Sequence, residues 1–191
     1  MTMRLYLLKL KNKPLYFAAK LTRAVLSDLE YFLHPAKRKK KHAHYELQNR
    51  LAGAKDHFTY DNPAYWRAIQ QIENIAAYLE KIYFDARWGH TLLQGVSPVK
   101  DDEYIRYSFF LLREALGLIY KDLTALRRIP ASPDIKLIAA HARKNLHLAR
   151  RQAALDDSDF IGNLKFDSIY ASLGKCFDCL EKYFDDLAAI R

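Results

Sequence analysis

Two arginine–histidine pairs near the N-terminus have the residue types and the spacing needed for phosphate chemistry. Arg38 precedes His44 with five residues between them, and Arg50 precedes His57 with six. A guanidinium group can hold a phosphate through paired hydrogen bonds, and an imidazole can transfer protons near neutral pH. On a helix, Arg50 and His57 would lie on the same face. These pairs therefore indicate possible acid–base chemistry on a phosphodiester.

An Arg-x4-6-His pair in an all-helical chain resembles the HEPN ribonucleases. The resemblance implies a helical dimer that cleaves RNA without a metal, with Arg50 and His57 as the catalytic residues. The pattern is short, and 14 arginines with 7 histidines produce about 1.5 such pairs by chance. We therefore keep the HEPN-like ribonuclease as an alternative function.

Two cysteines match the Cys-x-x-Cys pattern, at Cys176 and Cys179. A redox pair of this kind usually follows a β-strand, whereas these cysteines lie within a helical pattern. Cys176 falls beside Leu173 and Leu180 on the apolar face of that helix. We expect both thiols to be small packing residues.

The histidines that could supply metal ligands do not have the spacing of a metal site. No two of them lie on one helical face at the i and i+4 spacing that holds a zinc ion. The residues considered were His42, His44 and Glu46 in one group, and His141 and His147 in the other. We expect neither a metal nor a cofactor.

Positive charge is concentrated in the first quarter of the chain. Residues 1–50 contain 12 lysines and arginines against 3 acids, whereas the remaining 141 residues contain 19 of each. Such an asymmetry predicts an anionic partner, with nucleic acid ahead of anionic lipid. The expected contacts with the polyanion are Lys37, Arg38, Lys39, Lys40, Lys41 and Arg50.

The composition predicts an all-α protein. Leucine and alanine together number 52, whereas valine occurs 3 times and threonine 5 times, so few residues favour a sheet. Apolar residues recur at helical spacing between the prolines. We expect a single domain over residues 1–191, in which the basic region 1–50 precedes a neutral antiparallel bundle over residues 58–191. Of its five to six helices, the four long ones are predicted at Pro63–Trp88, Asp101–Arg128, Pro133–Leu155 and Leu164–Ile190.

The basic quarter also contains an apolar stripe at helical spacing, which ends at His34-Pro35. Its members are Leu15, Ala19, Thr22, Leu26, Leu29 and Leu33. With lysines and arginines beside it, such a stripe is also typical of a helix that lies on a membrane surface. A membrane surface is therefore the alternative partner.

These observations together favour a non-enzymatic binding or assembly protein rather than an enzyme. With 13 tyrosines, 10 phenylalanines and 2 tryptophans, the chain has more aromatic residues than a core of this size usually needs, which predicts a homodimer. The pattern does not indicate which helices would meet. A purely structural or oligomeric bundle is a further alternative. With two cysteines and no apparent leader, the expected location is the cytoplasm.

Overall fold

A computed structural model describes residues 13–33, 63–92, 102–125, 133–155 and 160–190 of the chain. These residues form five helices, and none of them lies in a strand. The helices are α1 (Lys13–Leu33), α2 (Pro63–Leu92), α3 (Glu103–Thr124), α4 (Pro133–Ala153) and α5 (Phe160–Ala189). The predicted all-α bundle is confirmed. Among these helices, none combines the length and the apolar character needed to cross a bilayer.

The five helices pack side by side in a closed ring. Helix α2 makes its most extensive contact with α5, which packs on α4, and α4 packs on α3. Helix α1 closes the ring between α3 and α2. Contacts join the start of α2 to the end of α5 (Arg67 to Asp186) and the end of α2 to the start of α5 (Lys81 to Ser168). These two helices are therefore antiparallel.

The core contains apolar residues from all five helices. The largest side chains that it buries completely are those of Tyr183, Phe109 and Phe177, surrounded by isoleucines and leucines. Ile72 of α2 is also fully buried. Burial of this apolar surface is the main favourable contribution to folding.

The helix starts follow from their capping residues. Pro63 and Pro133 occupy the first helical positions of α2 and α4, where a missing amide costs nothing. At α3, Asp102 is the N-cap, and its Oδ1 accepts a hydrogen bond of 2.8 Å from the amide of Ile105. A carboxylate at this position also lies at the positive end of the helix dipole.

Three predicted helix ends were wrong, each by four residues. Helix α5 begins at Phe160 and not at Leu164. Helix α2 continues beyond Trp88 and Gly89 to Leu92, because one internal glycine costs only about 1 kcal/mol. Helix α3 ends at Thr124 and does not reach Arg128. The Ala125 amide donates to the carbonyls of both Lys121 and Asp122, which tightens the last turn as commonly happens at a helix end.

Helix α1 is tied into the centre of the bundle. The hydroxyls of Thr22 and Tyr183 are 2.8 Å apart, and both residues are fully buried. The Thr22 hydroxyl also donates to the carbonyl of Ala18 at 2.8 Å. In the apolar stripe of α1, Ala19 and Leu29 are buried in the same core, and Leu15 and Leu26 pack partly buried against it. This stripe therefore packs against protein and is not on the surface.

Replacing Tyr183 with phenylalanine tests this connection. We expect Tyr183→Phe to lower the free energy of unfolding by about 1 kcal/mol, because the ring still fills the core while one buried hydrogen bond is lost. Urea denaturation measures the difference, with Tyr120→Phe on α3 as the control. An equal, near-zero effect of both substitutions would contradict the role given to the Tyr183 hydroxyl.

Candidate functional site

The residues predicted to bind a polyanion lie outside the described part of the chain. These are Lys37, Arg38, Lys39, Lys40, Lys41 and Arg50. The partners of the two arginine pairs, His44 and His57, also lie outside it. The polyanion contacts and the HEPN-like alternative therefore stay predictions.

The described part of the basic quarter is helix α1, which carries cations on its outer side. Lys20 and Arg23 are exposed. The Lys20 ammonium lies 5.0 Å from the centre of the Tyr16 ring, within the range of a cation–π contact. Tyr16 itself is buried and packs edge-on against Phe17, so this aromatic residue is part of the core. Helix α1 thus offers cations at its surface.

Helices α4 and α5 are joined by an ion-pair ladder, here meaning the pairs made by Lys136, Arg143 and Arg150. Lys136 pairs with Asp185 at 3.3 Å, and Arg150 pairs with Asp167 at 2.9 Å. Between them, the Arg143 guanidinium donates two hydrogen bonds of 2.7 and 2.8 Å to the Glu181 carboxylate. The hydrogen bond to Glu181 is the main reason that the pKa of Arg143 is raised. The ladder therefore compensates three cations of α4.

The ladder was not predicted, because equal numbers of cations and acids in the bundle do not show which of them form pairs. Its signal was nevertheless visible: Lys136, Arg143 and Arg150 recur every seven residues and so share one side of α4. Their carboxylate partners lie on α5. The spacing of these cations does not show which helix lies beside α4.

A groove of about 410 Å³ lies between α4 and α5. Its wall includes Tyr170, whose hydroxyl donates a 2.5 Å hydrogen bond to Oδ2 of Asp102, the same carboxylate that caps α3. Phe166 stacks on the Tyr170 ring with 6.1 Å between the ring centres. The residues that line the groove are Arg143, Leu146, His147, Arg150, Tyr170, Ala171, Gly174, Lys175 and Asp178.

The groove has little capacity to bind an anion. Its two arginines, Arg143 and Arg150, already contact carboxylates in the ladder. Lys175 lies 5.5 Å from the centre of the Tyr78 ring. A phosphate here would compete with the carboxylates that already contact these arginines.

A serine–lysine cluster joins α2 to α5 but lacks the features of a catalytic dyad. The Lys81 ammonium donates to the Ser168 hydroxyl at 2.6 Å and to Oδ2 of Asp85 at 3.0 Å. Ser168 also donates to Asp85 at 3.0 Å. A lysine that activates serine must be neutral to accept its proton, which requires a desolvated amine, whereas this side chain is 49% exposed and contacts a carboxylate. The cluster is an interhelical contact.

Both cysteines are buried packing residues, as expected. Cys176 and Cys179 are free thiols, and Sγ of Cys176 lies 3.9 Å from the carbonyl oxygen of Ile75. Burial is the main cause that raises the pKa of each thiol, so neither has the thiolate character of a redox cysteine. Among the residues that the structure describes, no three His, Cys, Asp or Glu side chains come together as a metal site.

Comparison of the chain with protein-family models, with curated proteins and with solved structures finds no match.

Replacing Gly174 tests the packing of the groove. A methyl group at this position would meet no heavy atom within 4 Å. Because alanine is the better helix former, we expect Gly174→Ala to raise the free energy of unfolding by about 0.5–1 kcal/mol. The matched control, Ala171→Gly in the same wall, should lower it by a similar amount. A loss of stability in Gly174→Ala, measured by urea denaturation, would show that the groove has less space than described.

Alkaline pH should destabilise the fold. Burial raises the pKa of Tyr65, Tyr170 and Tyr183 above the ordinary value of 10.0, and that of Cys176 and Cys179 above 9.0. The unfolded chain loses these protons first, so their contribution is complete below pH 9 and is lost progressively as the pH rises through 9 and then 10. Unfolding free energies measured from pH 7 to 10.5 should therefore fall. Tyr170→Phe should reduce the decline above pH 10, and a flat profile would contradict this.

Proposed function

We propose that this chain is a non-enzymatic helical binding protein that engages nucleic acid through its basic N-terminal quarter, residues 1–50. The observation that carries the proposal is the placement of charge. The formal net charge is +9, and residues 1–50 hold this entire excess, with 12 cations against 3 acids. A cationic region of this kind contacts phosphates and releases the counterions condensed on nucleic acid.

Charge compensation within the bundle supports this placement. Carboxylates contact the cations of the ladder on α4, and others contact Arg67 on α2 and Arg113 on α3. Such cations attract a polyanion less strongly, because a carboxylate already lies beside each of them. Lys20 and Arg23 are exposed on α1, the described helix of this quarter.

Nucleic acid is favoured over a lipid surface because of where α1 buries its apolar residues. A helix that lies on a membrane inserts its apolar face between the lipids. The apolar face of α1, including Val25 and Leu29, is in the protein core. The side chains that α1 exposes include cations, and their positive charge suits contact with the phosphates of a nucleic-acid strand.

The polybasic run is the segment to change. Replacing Lys37, Arg38, Lys39, Lys40 and Lys41 with glutamine should weaken binding to all sequences about equally. It should also lower the slope of log K against log salt by up to about 0.9 per lost contact on duplex, or about 0.7 on single strands. Titration of fluorescent oligonucleotides at several salt concentrations measures both effects.

The matched control removes the same number of cations from the rest of the chain. Replacing Lys100, Arg106, Lys165, Lys175 and Lys182 with glutamine also lowers the net charge from +9 to +4. We expect this control to retain most of the affinity and the salt slope. Equal losses in the two variants would mean that net charge, and not the N-terminal quarter, drives binding. Absence of binding by the native chain at low salt would favour a purely structural role. Metal-independent RNA cleavage that Arg50→Ala abolishes would favour the HEPN-like alternative.

A further inference from the structure

Exposed apolar side chains are unevenly distributed over the bundle. In the described part of the chain, seven large hydrophobic residues are exposed, and five of them lie on α3 and α4 or directly after α4. The five are Tyr107 (45% exposed), Phe110 (48%), Leu137 (57%), Leu148 (46%) and Leu155 (79%). Apolar residues grouped in this way on one side of a folded protein usually mark an interface.

On α3 these residues belong to a single outward row with acidic neighbours. The α3 stripe consists of Glu103, Tyr107, Phe110, Glu114 and Lys121, which keep to one side of the helix. Phe109, Leu112 and Leu116, on the other side, are buried in the core. Neither glutamate pairs with a cation among the residues that the structure describes. The stripe therefore combines aromatic surface with negative charge over most of its length.

On α4 the outward row has the opposite charge. The α4 stripe consists of Asp134, Leu137, His141, Lys144, Leu148 and Arg151, separated alternately by three and four residues. It lies opposite the buried side of α4, which carries Ile135, Ala142 and Ala149. Lys144 and Arg151 form no ion pair within the described ranges. This stripe combines leucines with positive charge.

The two stripes are in register with each other. Helices α3 and α4 run antiparallel: the Tyr104 hydroxyl donates to Gln152 at 2.8 Å, and Asn145 donates to the Ser108 hydroxyl at 3.1 Å. These contacts define which residues of the two helices lie at the same level, meaning the same position along the helix axes. At matching levels are Glu103 with Arg151, Tyr107 with Leu148, Phe110 with Lys144, Glu114 with His141, and Lys121 with Asp134.

We propose that the α3–α4 face binds the same face of a second copy of this chain, around a twofold axis parallel to the helices. Such a rotation preserves the level of every residue and places α3 of one protomer opposite α4 of the other. Glu103 then faces Arg151 of the partner subunit, and Tyr107 faces Leu148 of the partner subunit. Phe110 meets Lys144 of the partner subunit in a cation–π contact. Symmetry repeats each contact, so the surface complements itself.

Charge placement distinguishes this partner from two others. A lipid surface would meet Lys144 between Leu137 and Leu148, where a membrane-bound helix carries apolar side chains and not charges. Around a twofold axis parallel to the helices, two copies of α4 packed against each other would bring Lys144 against Lys144 and Arg151 against Arg151. Around the same axis, the exchange of α3 for α4 instead brings Glu103 to Arg151 of the partner subunit.

The size of the face suits a reversible dimer. Helix α3 has 22 residues, so its length is about 33 Å at 1.5 Å per residue. Two adjacent helices, each about 10 Å wide, give a face of roughly 600 Å² per protomer. This lies at the small end of stable interfaces.

A charge exchange between two variants of the full chain tests the proposal. Glu103→Lys places two cations opposite each other twice in the dimer, and Arg151→Glu does the same with two anions. Each change should raise the dissociation constant more than about tenfold. In an equimolar mixture of the two variants, the introduced lysine faces the introduced glutamate, and the native Glu103 faces the native Arg151. Sedimentation velocity at about 100 µM should therefore show a native dimer, two weakened variants and a restored dimer in the mixture.

The controls make every outcome decisive. Lys182→Glu reverses an exposed charge on α5 and should leave the dimer unchanged. Thermal unfolding followed by circular dichroism verifies that the variants are folded, and Leu148→Asp, which removes an apolar contact, should also give a monomer. A native monomer, single variants that dimerise like the native chain, or a mixture that stays monomeric would each overturn the proposal. A different result would assign the α3–α4 face to membrane binding: a native monomer that binds anionic vesicles, together with a Leu148→Asp variant that does not bind them.

Discussion

The buried contact between Tyr183 and Thr22 joins helix α1 of the basic quarter to the core of the bundle. Tyr183 is the largest side chain that the core encloses completely, and its hydroxyl needs a polar partner there. Thr22 of α1 supplies that partner at 2.8 Å. As a result, the only described helix of the basic quarter is part of the same core as the neutral bundle. Helix α1 therefore connects residues 1–50, which carry the charge excess, to the folded bundle.

Electrostatic compensation then separates the molecule into regions with different roles. The ladder between α4 and α5 pairs cations with carboxylates and holds two helices in register, although exposed pairs of this kind each contribute little stability. The N-terminal quarter has 12 cations and only 3 acids. If both proposals hold, a dimer through the α3–α4 face carries two basic quarters, and simultaneous contact with one strand raises the apparent affinity.

The fold class and most helix positions could be predicted because apolar periodicity and capping residues are local properties. Asp102, Pro63 and Pro133 mark helix starts through chemistry that lies within one turn of the chain. Neighbour relations between helices are not local. The ladder, the serine–lysine cluster and the α3–α4 stripes each depend on which helices stand side by side, and periodicity shows only which face is apolar. The helix end at Leu92 differed because one internal glycine costs too little to end a helix. The end at Thr124 differed because the Ala125 amide closes the last turn of α3 before Arg128 is reached.

The central claim is that the N-terminal quarter, and not the bundle, contacts the polyanion. Hydrogen–deuterium exchange of the full chain, with and without a mixed-sequence oligonucleotide at low salt, tests it most directly because it reports on every segment at once. We expect slower exchange within residues 1–50 and unchanged exchange in α2, α4 and α5. Protection concentrated at the groove between α4 and α5, with no change in residues 1–50, would contradict it.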